Sequence, residues 1–250
     1  MVMKRKNGMK GIGLITLSTD PVAEDAFKTD MASAPVRVFT TRVSYDRANH
    51  AAGGFIPIPD WPVVLETLPP GDLVDLIVFS CTSATIALGN EVLLQRLSSA
   101  RPGLSYTSPG IACVTLMQRF DIKRIAMLTP YGPTLHQAFT PYFASHGIEV
   151  VASHSVAEPM HLASDDDIAR VPLDRIETEL MTLLAATGPV DALFVSCAAF
   201  SIRRSDLARL TVALGCPVLA SVNSLAWHAL DLLGEVSLRD EISAELSLTG

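Results

Sequence analysis

The sequence predicts an α/β protein made of two similar halves, each with its own parallel sheet, related by a pseudo-twofold axis. Three observations lead to this prediction. Short runs rich in Val, Ile and Leu alternate with helix-length segments, as in successive βαβ units. Four of these runs recur later in the chain in the same order. One strand of each half ends in Ser-Cys, at Cys81 and Cys197, which are 197 − 81 = 116 residues apart.

The repeat defines the strands in chain order. In the first half the strand segments are residues 11–16, 35–40, 74–81 and 104–108. Their counterparts are residues 124–129, 147–152, 190–197 and 217–221. The third pair is the closest, because VDLIVFSC and VDALFVSC share both Val-Asp and Ser-Cys around an apolar core. Internal similarity of this kind predicts one supersecondary unit used twice.

The repeat also predicts the domain organisation. Residues 1–115 form the first half, which we expect the C-terminal helical region 223–250 to complete, and residues 116–222 form the second half. In open parallel sheets, ligands bind beyond the carboxyl ends of the strands. Both Ser-Cys pairs fall at such ends. We therefore expect the active site in the cleft between the halves, with both thiols directed into it.

Composition excludes several classes of protein. Hydrophobic residues are 49% of the chain and charged residues 18%, which is typical of a compact globular protein. The net charge is −7, and we predict that the basic cluster at residues 4–10 is a solvated tail. No nucleic-acid partner is therefore expected. No apolar run reaches the roughly 20 residues that a membrane span requires, so no membrane is expected.

The cysteine and glycine patterns predict a protein without a metal or cofactor. The four cysteines form no CxxC and no Cys/His spacing, and no export signal is evident, which indicates reduced thiols and a cytoplasmic location. The glycines form neither GxGxxG nor a phosphate loop. Cys113 and Cys216 have no repeat partners and are expected to be packed thiols.

The two remaining cysteines have a chemistry that fits their placement. A free thiol has a pKa of about 8.5, and placement at the N-terminus of a helix lowers that pKa. We expect a helix to begin just after each cysteine, so that one thiolate serves as nucleophile or base while the opposite thiol serves as acid. Such a pair suits racemisation or cis–trans isomerisation. The structural alternative is that both are inert buried cysteines.

A substrate carboxylate would need donors near the thiols. Thr82 and Ser83, with Ser18 and Thr19, are placed to supply hydroxyls and helix-start N–H groups. Their alternative role is helix capping. Arg203 and Arg204 are expected to face solvent.

Several segments resemble the Asp/Glu racemase superfamily, in the branch of maleate cis–trans isomerases, arylmalonate decarboxylases and ectoine-utilisation protein A. The matching segments are residues 11–20 (GIGLITLSTD), 80–85 (SCTSAT), 128–131 (LTPY), 196–197 (SC) and 221–227 (SVNSLAW). The resemblance implies a homodimer whose nucleophile is Cys81. It also implies Cys197 as partner acid or base, Tyr131 as a hydroxyl donor, and Thr82 and Ser83 as the carboxylate cradle.

Two positions depart from particular members of that branch. The decarboxylases have Gly where this chain has Cys81, so two thiols favour isomerisation or racemisation. Maleate isomerases have an Asn that binds substrate where this chain has Asp20, whose charge would repel a dicarboxylate. Asp20 better suits a ligand with a cationic group, and its alternative role is to cap a helix.

The leading hypothesis is therefore a cofactor-independent two-cysteine isomerase that resembles maleate cis–trans isomerase and acts on a small carboxylate. One alternative is an amino-acid racemase of the Asp/Glu type or an ectoine-degradation enzyme. An alternative of another class is a non-catalytic module that binds a small ligand.

Overall fold

The computed structural model describes residues 9–44 and 60–248. Its strands are β1 (Lys10–Leu17), β2 (Val36–Val43), β3 (Leu76–Phe79), β4 (Ser105–Thr107), β5 (Arg124–Thr129), β6 (Glu149–Ser155), β7 (Ala192–Val195) and β8 (Val218–Ala220). Its helices are α1 (Ala23–Asp30), α2 (Trp61–Glu66), α3 (Thr82–Leu88), α4 (Asn90–Ala100), α5 (Pro109–Arg119), α6 (Pro133–Ala144), α7 (Asp165–Ala169), α8 (Leu173–Thr187), α9 (Arg204–Leu214), α10 (Ser221–Leu233) and α11 (Val236–Glu245).

The strands form two parallel four-stranded sheets with the same strand order. The first sheet has the order β2-β1-β3-β4, and the second has the order β6-β5-β7-β8. Each predicted strand therefore has its counterpart in the equivalent place of the other sheet. The predicted α/β fold with two similar parallel-sheet halves is confirmed.

Burial explains which strands are central. All residues of β3 and β7 are buried, whereas the edge strands β2 and β6 contain mostly half-buried and exposed residues. Strands covered by helices on both faces carry continuous apolar runs, which is why VDLIVF and VDALFV were clear in the sequence. The edge strands extend to Val43 and Ser155, beyond the predicted ends at residues 40 and 152.

The aspartates of the two Val-Asp pairs have a structural role. The N–H of Asp75 donates to Gly11 O (2.8 Å), and its carboxylate accepts from Gly11 N (2.9 Å). In the second half, the N–H of Asp191 donates to Arg124 O (2.8 Å), and its carboxylate accepts from Arg124 N (2.8 Å). Each aspartate thus holds the start of the central strand β1 or β5. This role accounts for the repeated Asp without any catalytic function.

Helix α10 follows the second sheet but packs against the first half. It contacts α1, α5, β3 and β4. The indole of Trp227 meets the ring of Phe120 edge-on, at 5.9 Å between centroids, and its Nε1 donates to Ser243 Oγ (2.9 Å). His228 Nδ1 lies 2.8 Å from Thr107 Oγ1 on β4. The proposed division at residues 115 and 222 stays a prediction.

Within residues 9–44 and 60–248, no helix is long and apolar enough to cross a membrane.

Candidate active site

Cys81 lies between strand β3 and helix α3. Its side chain is buried, and its Sγ lies 3.3 Å from Ser83 Oγ. Its carbonyl accepts from both the hydroxyl and the N–H of Thr85, at 2.8 and 3.2 Å. The backbone of Cys81 is therefore held firmly at the first turn of α3, as the sequence predicted.

Cys197 occupies the equivalent place after β7 but in a different local structure. Its φ is +152°, a value that residues with side chains rarely adopt, and strained backbone of this kind concentrates at functional sites. Its N–H donates to Ser221 Oγ, and its Sγ accepts from Ala199 N, both at 3.3 Å. The prediction of a helix directly after Cys197 is wrong, because a turn follows and α9 begins only at Arg204.

Tyr131 joins the cysteine of the second sheet to the loop after β5. Its hydroxyl donates a hydrogen bond to the Cys197 thiol, and its ring stacks on Phe139 at 5.7 Å between centroids. Ser155 Oγ donates to Tyr131 O (2.6 Å). The ring and the backbone of Tyr131 are thus both fixed, and its hydroxyl reaches one of the two thiols.

Asp20 is 4% exposed and caps the start of helix α1. Its Oδ1 accepts from the N–H groups of Val22 and Ala23, both at 2.9 Å. Burial raises the pKa of Asp20, these two N–H groups lower it, and the nearby Asp165 carboxylate raises it further. The capping role considered from sequence is thus present in the structure.

A cavity of about 590 Å³ opens between the two halves, at the carboxyl ends of both sheets. Its lining includes Leu17, Thr19 and Ser83 of the first half and Tyr131, Asp165 and Ile168 of the second. Cys81, Cys197, Asp20 and Thr82 are not part of the lining. The thiols instead lie just behind it, because Ser83 and Tyr131 line the cavity and each contacts one thiol.

Burial disfavours the thiolate form of both cysteines. Burial raises the pKa of Cys81 to about 12. The Ser83 hydroxyl and the Ala84 N–H lower this pKa, but their effect is smaller than that of burial. Burial likewise raises the pKa of Cys197, while the Tyr131 hydroxyl and the Ala199 N–H lower it. Asp165 and Asp20 raise the pKa of both thiols. The same two carboxylates therefore act on both thiols.

Thr82 lies between Cys81 and Ser83 in the sequence and begins helix α3. It is 3% exposed, and its Oγ1 has no hydrogen-bond partner among the described residues. Burying a hydroxyl without a hydrogen-bond partner costs free energy, so a ligand group that forms a hydrogen bond with it would gain binding energy. Of the six residues predicted for the site, Ser83 and Tyr131 line the cavity, Cys81 and Cys197 contact these two, and Asp20 and Thr82 lie outside the lining. Their roles stay predictions.

A sequence model of the family described as arylmalonate decarboxylase matches residues 82–244, more than half of the chain. The chain belongs to the arylmalonate decarboxylase family. This family is part of the Asp/Glu racemase superfamily, as the resemblance implied. No curated protein matches the sequence.

Solved structures share the fold of this arylmalonate decarboxylase family member. Maleate isomerase from Pseudomonas putida S16 has a TM-score of 0.74 at 18% identity, covering 90% of this chain and 93% of that chain. A liganded double mutant of arylmalonate decarboxylase, with one Gly replaced by Cys and one Cys by Ser, has a TM-score of 0.74 at 16% identity, covering 92% and 94%. A Cys-to-Ser mutant of Nocardia farcinica maleate cis–trans isomerase, with a covalently bound succinylcysteine intermediate, has a TM-score of 0.72 at 17% identity, covering 91% and 94%.

Sequence reasoning assigned no role to Asp165, which lines the family member's cavity. It begins helix α7, and its Oδ2 accepts from Thr19 Oγ1 of the first half at 2.5 Å. The local signal was the run Asp165, Asp166, Asp167 after Ser164, which is also what helix capping requires. Only the approach of this loop to Thr19 distinguishes Asp165 from its neighbours.

The remaining candidates lie away from this site. Arg203 pairs with Asp25 at 3.1 Å, and Arg204 pairs with Glu241 and Glu245 at 3.4 and 2.9 Å. Cys113 and Cys216 are buried free thiols, on α5 and just before β8.

Proposed function

We propose that this protein is a cofactor-independent isomerase that acts on a small carboxylate, with Cys81 and Cys197 as its reacting groups. The observation that supports the proposal is that each thiol, at equivalent strand ends, contacts a residue that lines one cavity, Ser83 for Cys81 and Tyr131 for Cys197. A family of enzymes with this fold includes proteins that act on maleate and on arylmalonate. The cytoplasmic location and the homodimer predicted from sequence stay predictions.

In the cis–trans reaction, Cys81 first releases its thiol proton to solvent water. Its thiolate then forms a C–S bond to one alkene carbon, and the Cys197 thiol gives its proton to the other carbon. The new single bond then rotates. Cys197 takes a proton back as the C–S bond breaks, so both sulfurs return to their starting states. The sequence consumes no oxidant, reductant or cofactor.

The partners of each thiol support different roles. The Tyr131 hydroxyl donates to Cys197, so it stabilises the thiolate that forms when Cys197 has given up its proton. Ser83, next to Cys81, can donate to the attacking thiolate or, with Thr82, to a substrate carboxylate. These contacts favour Cys81 as nucleophile and Cys197 as acid and base.

Racemisation is a second candidate, favoured by one specific similarity. Each thiol accepts an N–H from a residue shortly after it, Ala84 for Cys81 and Ala199 for Cys197, and each lies near the same two carboxylates. Two bases in such similar surroundings can exchange roles. One thiolate would remove the proton beside a carboxylate, and the opposite thiol would protonate the other face.

To test the proposal, the protein is incubated in deuterium oxide with maleate, with other cis-unsaturated acids and with single enantiomers of acidic amino acids, and each reaction is followed by NMR. Alkene isomerisation identifies the first reaction, and deuterium at the α-carbon with loss of optical rotation identifies the second. We expect Cys81→Ala and Cys197→Ala each to lower turnover by at least about 100-fold. Cys216→Ala, which removes a thiol outside the cavity, is the matched control.

Full turnover in either cysteine variant would overturn the two-thiol mechanism. Release of carbon dioxide from an arylmalonate by Cys81→Ala would assign the protein to one-thiol decarboxylation instead. Ligand binding without any cysteine-dependent turnover would identify a binding module.

A further inference from the structure

One pair of equivalent threonines differs between the halves in its hydrogen bonding. Thr16 and Thr129 occupy matching places near the ends of the central strands β1 and β5, in the segments GIGLIT and RIAMLT. Both side chains are fully buried. The Thr16 hydroxyl has no hydrogen-bond partner among the described residues, whereas Thr129 Oγ1 lies 2.7 Å from His136 Nδ1. Seven residues after Thr16, at the position that corresponds to His136, the chain has Ala23.

The imidazole of His136 joins three elements of the second half. His136 lies near the start of helix α6, its Nδ1 contacts Thr129 on β5, and its Nε2 lies 3.0 Å from Ser153 Oγ on the edge strand β6. The residue is half-buried and is not part of the cavity lining. Its side chain can therefore act on the cavity only through another residue.

Thr129 connects this imidazole to the backbone of Tyr131. Thr129 Oγ1 accepts from the N–H of Tyr131 at 3.5 Å, and on the other side Ser155 Oγ donates to Tyr131 O at 2.6 Å. The N–H of His136 donates to the next carbonyl oxygen, that of Gly132, at 3.0 Å. The peptide groups on both sides of Tyr131 are thus held from β5, β6 and α6.

The positions of the protons in this group follow from what each side chain can donate. Burial lowers the pKa of His136, and the charge of His154 lowers it further, so the ring is neutral at pH 8. A neutral imidazole has one donor and one acceptor nitrogen. Because Thr129 Oγ1 accepts from Tyr131, its own proton can go to His136 Nδ1, and Nε2–H can then donate to Ser153. Donating to the ring makes the Thr129 oxygen a better acceptor for the N–H of Tyr131.

We propose that His136 positions the Tyr131 hydroxyl against the Cys197 thiol, by holding Thr129 and, through it, the backbone of Tyr131. The half that has this imidazole is also the half whose loop supplies a tyrosine, since Tyr131 stands two residues after Thr129 and Ser18 stands two residues after Thr16. The inference rests on the proposed function for the role of Cys197. It adds a residue that controls the partner of that thiol.

Two substitutions of His136 separate its two contacts. The Asn side chain places a hydrogen-bonding atom where Nδ1 lies in His, whereas the Gln side chain places one where Nε2 lies. His136→Asn should therefore keep the contact with Thr129, and His136→Gln should lose it. The two variants remove the same ring, so a difference between them reports the contact with Thr129.

The measurement is alkylation by iodoacetamide at pH 8, with the rate at each cysteine determined by mass spectrometry. We expect His136→Gln to slow alkylation of Cys197 about 3- to 10-fold, as the loss of one hydrogen bond allows, because less of this thiol is then present as thiolate. His136→Asn should stay within about 2-fold of the wild type. Cys81 is the reference within the same protein, and its rate should not change. Turnover, where present, should fall in His136→Gln by the same factor.

Combined variants establish the route from His136 to Cys197. Thr129→Val, which removes only the hydroxyl, should slow Cys197 as His136→Gln does, and the double variant should be no slower than either single one. In a Tyr131→Phe background, His136→Gln should have no further effect on Cys197. His154→Gln is the matched control, because that imidazole is on β6 but contacts Glu179 at 3.6 Å instead of Thr129.

A purely structural role of His136 gives a different result. Loosening of α6 or of the loop after β5 would expose the buried thiols and speed their alkylation, and melting temperatures would fall in both His136 variants. Equal rates at Cys197 in the Asn and Gln variants, or a faster rate in His136→Gln, would therefore overturn the inference. So would a further slowing by His136→Gln in the Tyr131→Phe background.

The alkylation test does not depend on turnover, so the two proposals can fail separately. If His136→Gln slows Cys197 as expected but the wild type shows no cysteine-dependent turnover, the positioning role stands and the isomerase proposal fails. If the wild type isomerises maleate through its cysteines and the His136 variants alkylate like the wild type, the isomerase proposal stands and this inference fails.

Discussion

The side-chain amide of Asn223 donates a 2.8 Å hydrogen bond to the carboxylate of Asp30, joining residues that are far apart in the sequence. Asp30 ends α1, and Asn223 lies in the first turn of α10. Both side chains are buried. The contact attaches the helix that follows the second sheet to the first half, and burial raises the pKa of Asp30 to about 6 even though Asn223 lowers it.

The raised pKa makes Asp30 a source of pH-dependent stability. The folded protein holds a proton on Asp30 that the unfolded chain, with a pKa of 3.8, has already lost. The free energy of unfolding should therefore decrease as the pH rises from about 4 to about 6, by up to about 3 kcal/mol from this group. Asp30→Asn should remove that contribution, measured as the difference between urea unfolding curves of variant and wild type across this range. The exposed Asp25→Asn on the same helix is the control, and parallel curves for Asp30→Asn would contradict the assignment.

His228 should contribute with the opposite sign. Burial lowers its pKa, and its ring nitrogen pairs with Thr107, so the folded protein favours the neutral ring. The stability that it provides is complete above the unfolded pKa of 6.5 and is lost as the pH falls below that value. His228→Gln should flatten the acid side of the stability profile, at a cost of about 1 kcal/mol near neutral pH for the altered hydrogen bond. A profile as steep as that of the wild type would contradict this role.

Tyr131 should assist the Cys197 thiolate. Tyr131→Phe removes the hydroxyl that donates to Cys197, so the pKa of Cys197 should rise further. We expect turnover to fall about 10- to 100-fold and alkylation of Cys197 by iodoacetamide, followed by mass spectrometry, to slow. Tyr142→Phe removes another buried hydroxyl, one that pairs with Asn90, and should change neither rate. Unaltered alkylation of Cys197 in Tyr131→Phe would show that the hydroxyl does not act on this thiol.

Gly11 should tolerate no side chain. A Cβ at this position would lie 1.8 Å from the carbonyl oxygen of Leu73, which is backbone and cannot rotate away. We expect Gly11→Ala to lower the free energy of unfolding by about 3 kcal/mol, measured by chemical denaturation. Gly132→Ala is the matched control, because a Cβ there meets no atom within 4 Å and its φ is −61°. Equal stability of the two variants would show that the Leu73 loop moves aside at little cost.

Local sequence patterns were sufficient to predict the two parallel sheets. The continuous apolar runs of β3 and β7 mark central strands, because such strands are buried on both faces regardless of the rest of the chain. The repeat then relates the two sheets, since similar segments in the same order form the same strand order. The positions of Cys81 and Cys197 at equivalent strand ends follow directly from that register.

The loops after the strands were less predictable. The turn after Cys197, with its φ of +152°, differs from the helix start after Cys81 although both follow Ser-Cys. Nothing in AAFSIRR excludes a helix by composition, and the hydrogen bond from Cys197 N to Ser221 selects the turn through a residue of another element. The prediction failed where a contact distant in sequence overrode local preference.

The sequence by itself determined the α/β class, the two related halves and the two thiols at equivalent strand ends, because each depends on patterns within a few residues. Tertiary structure alone decided that Asp165 meets Thr19 across the cavity and that Asn223 of α10 meets Asp30 of α1. These contacts join loops and helices far apart in the chain. Their geometry depends on how the two sheets pack together, which no local pattern specifies.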